Sequence, residues 1–232
     1  MRPGLGIAGA ASLAVRRNAP VLCVDTCSLL DVLRGPLRPD GARTVAAAEV
    51  LARAEQTGLL TMFMTSSMLP EFARNTANVK LELARHLKRV EDDLELAAQC
   101  LKQCGCPIAT VALADSPLQT QLDARYLALC DGCEVLNDDA EAKGRAMDRV
   151  VSQRRPSTQG SGLDANIIEH YFALGRELQL QGFRQRFVFV SSNTNDYCQV
   201  KSTLHTDLSA DFQALALAYT SSLPWAKSAL GL

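Results

Sequence analysis

The chain has 232 residues, of which 47% are hydrophobic and 21% charged, and its formal net charge at pH 7 is −1. This composition is that of an ordinary globular protein, large enough for one domain with an insertion. A net charge this close to zero excludes a protein that coats nucleic acid through bulk electrostatics. Any contact with nucleic acid must therefore come from a local basic patch or from bound metal ions.

The eight cysteines do not suggest a disulfide framework, because the chain is long and no secretory leader is recognisable at its start. We therefore expect reduced thiols, a cytoplasmic location and no membrane span. Two pairs, Cys104 with Cys106 and Cys130 with Cys133, have spacings that allow zinc binding, but ordinary thiols are the simpler interpretation. Residues 1–20 are expected to form a flexible N-terminal extension.

The first part of the chain alternates between strand and helix patterns. Residues 21–25 form an unbroken apolar run that ends on an acid, which predicts a strand buried on both faces of a parallel sheet. An alanine-rich helix is predicted over residues 42–56 and a second strand over residues 59–65. Glu71 then falls in the first turn of the next helix, just after Pro70.

A helical insertion is predicted over residues 79–155. Its first helix, over residues 79–103, carries a seam of apolar side chains at intervals of three and four. That seam allows a homodimer, although packing on neighbouring helices of the same chain is the more common use.

The last part of the chain returns to the alternating pattern. It contains a buried helix over residues 163–174, a strand over residues 186–190, and a final helix and strand that end near residue 220. Alternation of strands with helices predicts an α/β fold. We expect a single domain over residues 21–232, a three-layer α/β/α sandwich around a short parallel sheet of four or five strands.

Acidic and amide side chains recur where a predicted strand ends or a helix begins: Asp25, Glu71, Asp164, Asn193 and Asp196. In a parallel sheet these points meet along the carboxyl edge. Clustered carboxylates repel each other unless a cation lies between them, and oxygen ligands favour Mg²⁺ or Mn²⁺. Such ions activate water for hydrolysis of a phosphodiester. The same positions are also those that helix capping favours, so their placement alone leaves a purely structural role open.

Four segments in this order resemble the motifs of PIN-domain ribonucleases. Residues 24–30 (VDTCSLL) resemble the opening strand and acid, and residues 66–72 (SSMLPEF) resemble the second element with its glutamate. Residues 163–174 (LDANIIEHYFAL) are similar to the third helix, and residues 189–197 (FVSSNTNDY) to the last motif. The long insertion departs from compact PIN toxins and is closer to larger bacterial PIN-like proteins.

The resemblance implies an endoribonuclease that uses Mg²⁺ or Mn²⁺, with Asp25, Glu71 and Asp164 as metal-binding carboxylates. Asn193 takes the fourth position and Asp196 supports it. Such a protein would act as a toxin restrained by an antitoxin or another protein, or in RNA processing.

Further residues are candidates for supporting roles. The hydroxyls of Thr26 and Ser28 could position a water or a phosphate. Arg154 and Arg155 end a basic run that leads toward Asp164 in the sequence and could steer a phosphate backbone. Glu169 is either an additional acid behind the metal ligands, the partner of Arg155, or a partly exposed helix charge.

Three other functions fit the same residues. A PIN-like scaffold could bind RNA or protein without cutting, because Asn193 lowers the charge available for a second metal. A phosphatase could use Asp25 as its nucleophile. A structure-specific DNA nuclease also fits, because carboxylates do not report which sugar the substrate carries.

Overall fold

The computed structural model describes residues 3–110, 112–113, 116–157, 162–200 and 203–232. Within these ranges the helices and strands are, in chain order, α1 (Ile7–Arg17), β1 (Val21–Val24), α2 (Thr26–Leu33), α3 (Gly41–Gln56), β2 (Thr61–Thr65), α4 (Leu69–Gln103), α5 (Leu118–Gly132), β3 (Cys133–Leu136), α6 (Ala140–Val151), α7 (Gly162–Leu180), β4 (Phe187–Val190), α8 (Thr194–Tyr197), β5 (Cys198–Val200), β6 (Thr203–Leu204), α9 (Thr206–Ala214), β7 (Leu217–Thr220) and α10 (Leu223–Leu230).

The fold is a three-layer α/β/α sandwich around a five-stranded parallel sheet, as predicted. The strand order is β3-β2-β1-β4-β7, which places β1 at the centre. Every residue of β1, β2 and β4 is buried. Unbroken apolar strands are stable only when helices cover both faces, so the sequence of β1 and β4 accounts for their central place.

The helices divide between the two faces of the sheet. Helices α6 and α1 pack on α7, while α2, α3, α5 and α10 pack on one another on the other side. Helix α7 is fixed to the sheet by Tyr171, which is fully buried. The Tyr171 hydroxyl donates to the Val24 carbonyl oxygen at 2.6 Å, with the Phe63 carbonyl at 3.3 Å. The helix that carries Asp164 is therefore tied to the strand that ends at Asp25.

The expectation of a flexible extension over residues 1–20 is wrong for the described part, residues 3–20. Helix α1 buries Ala10, Ala11 and Ala14 completely. Arg17, at its end, pairs with Glu55 at 3.3 Å and with Glu134 at 3.4 Å. The error arose because small alanines do not produce a strong hydrophobic pattern, yet they allow close packing of a helix. Residues 1 and 2 lie outside the described residues.

The insertion over residues 79–155 is not purely helical. It contains β3, which pairs with β2 at the edge of the sheet, so this part of the chain belongs to the main sheet. Helix α4 is also longer than predicted, with 35 residues beginning at Leu69. Its apolar seam is buried at Val79, Leu83 and Leu87, whereas Leu94 is exposed. Among the described helices, none is long and apolar enough to cross a membrane.

A pair of substitutions in α1 tests whether this helix is part of the core. Ala11→Glu places an unpaired charge at a fully buried position and should destabilise the protein by about 3 kcal/mol or more. Ala8→Glu, on the exposed face of the same helix, should change the free energy of unfolding by less than about 0.5 kcal/mol. Urea unfolding followed by circular dichroism measures both. Equal stability of the two variants would contradict the docking of α1.

Candidate functional site

Asp25 lies directly after β1 and caps the N-terminus of α2. Its side chain is only 3% exposed, yet both carboxylate oxygens have donors. Oδ1 accepts from the backbone N–H of Thr26 at 2.7 Å. Oδ2 accepts from the Ser191 hydroxyl at 2.6 Å and from the Cys27 thiol at 3.0 Å. The centre of the sheet edge is thus a buried carboxylate held by three donors.

Burial is the main influence on the ionisation of this carboxylate, and it raises the pKa of Asp25. The hydrogen bonds from Cys27, Ser191 and Thr26 oppose that rise, and the negative charge of Glu71 adds to it. Burial and the neighbouring Asp25 charge also raise the pKa of the Cys27 thiol. The thiol therefore stays protonated near neutral pH and remains a donor to Asp25.

The other two predicted metal-binding acids lie at the first turns of their helices. Glu71 is in the first turn of α4, is half-buried and accepts from the Asn75 amide at 3.3 Å. Asp164 is in the first turn of α7 and is also half-buried. The pKa of buried Tyr197 is raised by burial first and then by the charges of Asp25 and Asp164. The Asp25 carboxylate is therefore close enough to Glu71 for their charges to interact. Tyr197 is in turn close enough to respond to the charges of both Asp25 and Asp164.

These acids do not form a ready metal cluster. Among the described residues, no three histidine, cysteine, aspartate or glutamate side chains lie close enough together to hold an ion. The same finding applies to the cysteine pairs considered for zinc, and all eight cysteines are free thiols. The chemistry of the donor set, carboxylate and amide oxygens, does fit a hard cation. At Asp25 such an ion would share or displace the donors Ser191 and Cys27.

Asn193 and Asp196 form a compact turn after β4. The Asn193 amide Nδ2 donates to Asp196 Oδ2 at 2.6 Å, and the Asn193 backbone N–H donates to Ser191 Oγ at 3.2 Å. Because the Ser191 hydroxyl in turn donates to Asp25, the turn after β4 is connected to the acid after β1. The two predicted residues therefore lie beside the site, with the Asn193 amide oriented by Asp196.

Sequence analysis did not assign a role to Ser191. This residue is fully buried, and its backbone carbonyl accepts from the Tyr219 hydroxyl at 2.8 Å. It thereby connects β7, the turn after β4, and Asp25. The sequence did contain a signal for this residue. Ser191 stands at the position where the last of the four motifs has a threonine or serine.

Sequence analysis also assigned no role to Asp31 or to Tyr197, whose pKa responds to Asp25 and Asp164. Asp31, on α2, is buried and accepts from the Arg38 guanidinium at 2.9 Å. Burial raises the pKa of Asp31, and a hydrogen bond from Ser192 lowers it. Asp31 therefore adds another acid next to the turn after β4. Its spacing from Asp25 gave no signal, because it lies in the middle of a helix.

The two hydroxyls predicted to contact substrate are both buried. Ser28 Oγ accepts from the backbone N–H of Ser192 at 3.0 Å and so fastens α2 to the turn after β4. This hydrogen bond makes Ser28 a structural residue in the present arrangement. Thr26 is 2% exposed, and its Oγ1 has no hydrogen-bond partner within the described part of the chain. Of the two, only Thr26 has an uncommitted hydroxyl beside Asp25.

The two predicted substrate-binding arginines extend in different directions. Arg155 donates from Nη1 to the Asn195 carbonyl oxygen at 3.3 Å, and its backbone N–H donates to Asp207 at 2.9 Å. Arg155 therefore lies against the turn that contains Asn193 and Asp196. Arg154 instead donates to Asp211 at 3.2 Å, in a separate charged cluster.

The structure does not support Glu169 as an acid behind the metal ligands. Glu169 is buried, and its Oε1 accepts two hydrogen bonds from Arg149, at 2.8 and 2.6 Å. Five residues correspond to roughly 140° around a helix beyond one full turn. Glu169 therefore lies on another face of α7 from Asp164, where it fastens α6 to α7. The alternative predictions, an ion pair with Arg155 or a partly exposed helix charge, are also wrong, because Glu169 is buried and its partner is Arg149.

Replacing Asp25 by asparagine tests the balance between burial and hydrogen bonding. The folded-state pKa of Asp25 is above its ordinary value of 3.8, so the folded protein binds this proton more tightly than the unfolded chain. The free energy of unfolding then falls as the pH rises from 3.8 through the folded-state pKa of Asp25. The ionised carboxylate therefore lowers stability at pH 7. Asp25→Asn should raise the melting temperature at pH 7, by roughly 2–4 °C for each kcal/mol gained. The gain should shrink as pH falls toward 4.

The matched control is Asp92→Asn, an acid whose side chain is 58% exposed. It should leave the melting temperature unchanged by calorimetry at both pH values. A lower melting temperature of Asp25→Asn at pH 7 would show that the three hydrogen bonds outweigh the cost of burial.

Comparisons of the chain with protein-family models, with curated proteins and with solved structures gave no match. The resemblance to PIN domains therefore rests on the four sequence motifs and on the positions of their acids. The side chains of the site itself are the guide to its chemistry.

Proposed function

We propose that this protein is a metal-dependent endoribonuclease of the PIN-like type, which hydrolyses phosphodiester bonds in RNA. One observation carries the proposal. A buried carboxylate at the end of the central strand, Asp25, is within electrostatic reach of Glu71, and the pKa of Tyr197 responds to both Asp25 and Asp164. A protein that kept these acids only for stability would gain more from apolar side chains, since burial of Asp25 raises its pKa.

The cofactor in this proposal is Mg²⁺ or Mn²⁺, which Asp25, Glu71 and Asp164 would hold, although their side chains must come closer together than they lie here to share the ion. When bound, the ion would activate a water and stabilise the charge of the leaving oxygen. Carboxylate oxygens can accept a hydrogen bond and still offer a second lone pair to an ion. Ser191 and Cys27 occupy both lone pairs of Oδ2, whereas Oδ1 accepts only from the Thr26 N–H among the described residues and keeps a lone pair for an ion.

Neighbouring residues have supporting roles. Ser191 keeps the Asp25 carboxylate in one orientation, and Asp196 orients the amide of Asn193 beside it. The hydroxyl of Thr26, which is buried and has no partner in the described part of the chain, is available to a small ligand such as a water. Arg155, on the turn at Asn195, supplies a cation for binding the substrate. Together these groups hold the RNA phosphate and the water in one place.

A phosphatase with Asp25 as its nucleophile is less well supported. In-line attack on a phosphorus atom needs an oxygen that the substrate can approach, and Asp25 is 3% exposed. A small ion requires less access than a phosphate ester. Nothing in the acids separates RNA from DNA, so a DNA nuclease is tested with the same variants.

The second candidate function is a PIN-like scaffold that binds RNA or protein without cutting. The observation that favours it is the lack, within the described ranges, of three metal-binding side chains placed to share an ion. In this proposal the hydrogen bonds to Asp25 are permanent, and the acids serve as caps and polar contacts.

A protein partner, such as an antitoxin, and a homodimer belong to the same proposal. The feature that supports a partner is the second half of α4, where Leu94, Leu96 and Leu101 are exposed. We place the protein in the cytoplasm, because its eight cysteines are free thiols.

Cleavage of a mixed RNA pool tests the proposed function. With Mg²⁺ or Mn²⁺ the wild-type protein should degrade the pool, while Asp25→Asn and Asp164→Asn should each lose at least about 100-fold in rate. Even partners of metal ligands cost roughly 10–100-fold when removed. Cleavage is followed by gel electrophoresis, with Asp92→Asn as the control that keeps the wild-type rate. Equal cutting by all variants would indicate a contaminating nuclease.

Calorimetric titration with Mn²⁺ separates the two candidate functions. The nuclease should bind Mn²⁺, and Asp25→Asn should abolish the heat of binding. No heat from the wild-type protein at millimolar Mn²⁺, together with no cleavage of RNA or DNA, would favour the scaffold.

A further inference from the structure

A second polar site lies between α6, α7 and α9, on the face of α7 that carries Glu169. It is a cavity of about 460 Å³. Six charged side chains define it, and we call it the arginine pocket: Arg145, Arg149, Arg154, Arg176, Glu169 and Asp211. With Asp148 on its lining, four guanidinium groups face three carboxylates, and Glu141 pairs with Arg145 at 3.6 Å from outside the lining.

Arg149 forms the fixed part of the arginine pocket. Its side chain is 3% exposed, and it donates to Glu169, to Asp211 at 2.7 Å and to the Arg155 carbonyl oxygen at 2.8 Å. The guanidinium also lies over the ring of Phe172, 5.5 Å from its centroid. A buried cation with this many partners is structural, and it leaves little capacity for a ligand.

The other three arginines are less committed. Arg145 Nε and Arg176 Nη2 lie 3.5 and 3.9 Å from the same oxygen, Oε2 of Glu169, which is beyond a good hydrogen bond for either. Arg154 shares Asp211 with Arg149. Their side chains are 33%, 43% and 47% exposed. Because a guanidinium has five N–H donors, each of these arginines has more donors than its ion pairs to Glu169 and Asp211 use.

Mutual repulsion among these arginines is visible in their electrostatics. Burial and the charge of Arg145 both lower the pKa of Arg176. The charge of Glu169, which both guanidinium groups approach, offsets this repulsion only in part. A bound anion would relieve the remainder and use donors that Glu169 does not. Planar arginine donors match the oxygens of a phosphate in pairs, which makes phosphate the ligand that fits best.

The arginine pocket is next to the candidate active site along the chain. Arg154 contacts Asp211 in the pocket, while the adjacent Arg155 contacts Asn195 in the turn after β4. Two neighbouring residues thus connect the two places. We propose that the arginine pocket binds a backbone phosphate of the RNA substrate a few nucleotides away from the phosphodiester that the acids cleave, since Arg176 lies twelve residues, about 18 Å along α7, beyond Asp164. This inference rests on the proposed function for the identity of the ligand.

A double variant, Arg145→Gln with Arg176→Gln, tests the pocket without any cleavage. Binding of a fluorescein-labelled single-stranded RNA of 12 nucleotides is measured by anisotropy in EDTA, so the result does not depend on a metal. The affinity should fall roughly tenfold or more, and the slope of log K against log salt by about 0.7 for each phosphate that is no longer neutralised. The matched control, Arg53→Gln with Arg184→Gln, removes two exposed arginines outside the pocket and should bind like the wild type.

A single variant covers the case in which the double variant does not fold. Arg176→Gln alone changes a side chain that is 43% exposed and whose ion pair with Glu169 is 3.9 Å long, so it should keep its circular dichroism spectrum and melting temperature. It should weaken RNA binding, whereas the control variant should not.

Several results would overturn the inference. These are no RNA binding by the wild-type protein, equal binding by the pocket and control variants, or binding of inorganic phosphate that the pocket variants abolish while their RNA affinity is unchanged. The last result would mean a small-anion site. Weaker RNA binding by the pocket variants, with no cleavage by the wild type under Mg²⁺ or Mn²⁺, would support the pocket while removing the proposed nuclease activity.

Discussion

The rest of the site depends on the buried carboxylate of Asp25. An acid at 3% exposure is stable only when donors replace the water that hydrates it in the unfolded chain, and here the donors come from its own helix and from the end of β4. The Ser191 hydroxyl connects Asp25 to the turn at Asn193, and the Tyr219 hydroxyl fixes Ser191 from β7. The ends of the central strand β1, of its neighbour β4 and of the edge strand β7 are thus all connected to the Asp25 carboxylate, β7 through Ser191. Because burial raises the pKa of Asp25, its ionised form lowers stability near neutral pH.

Helix α7 separates two charged systems. Asp164, in its first turn, belongs to the carboxyl edge of the sheet, whereas Glu169 faces α6 and pairs with Arg149. A helix can serve both because residues five positions apart point to different sides. Tyr171, which hydrogen-bonds to the end of β1, keeps the helix in register with the strand. The arginine pocket and the acidic edge are therefore held at a fixed separation by one rigid element.

The opposite signs of these two systems suit a single polyanionic ligand. The acidic edge would need a cation before a phosphate could approach it, while the arginine pocket attracts phosphate directly. Arg155 lies between them, against Asn195. In this proposal the arginine pocket supplies local positive charge in a chain whose net charge is close to zero.

The sequence by itself determined the fold class and the places where the acids stand. The unbroken apolar runs of β1 and β4 require cover on both faces, which implies a parallel sheet. Only the tertiary structure decided what depends on packing between distant segments. Helix α1 was unrecognisable because alanines give a weak pattern, and β3 was hidden among helices because its strand pairing with β2 is not local. The partner of Glu169 and the role of Ser191 likewise depend on contacts between residues far apart in the chain, which no local pattern encodes.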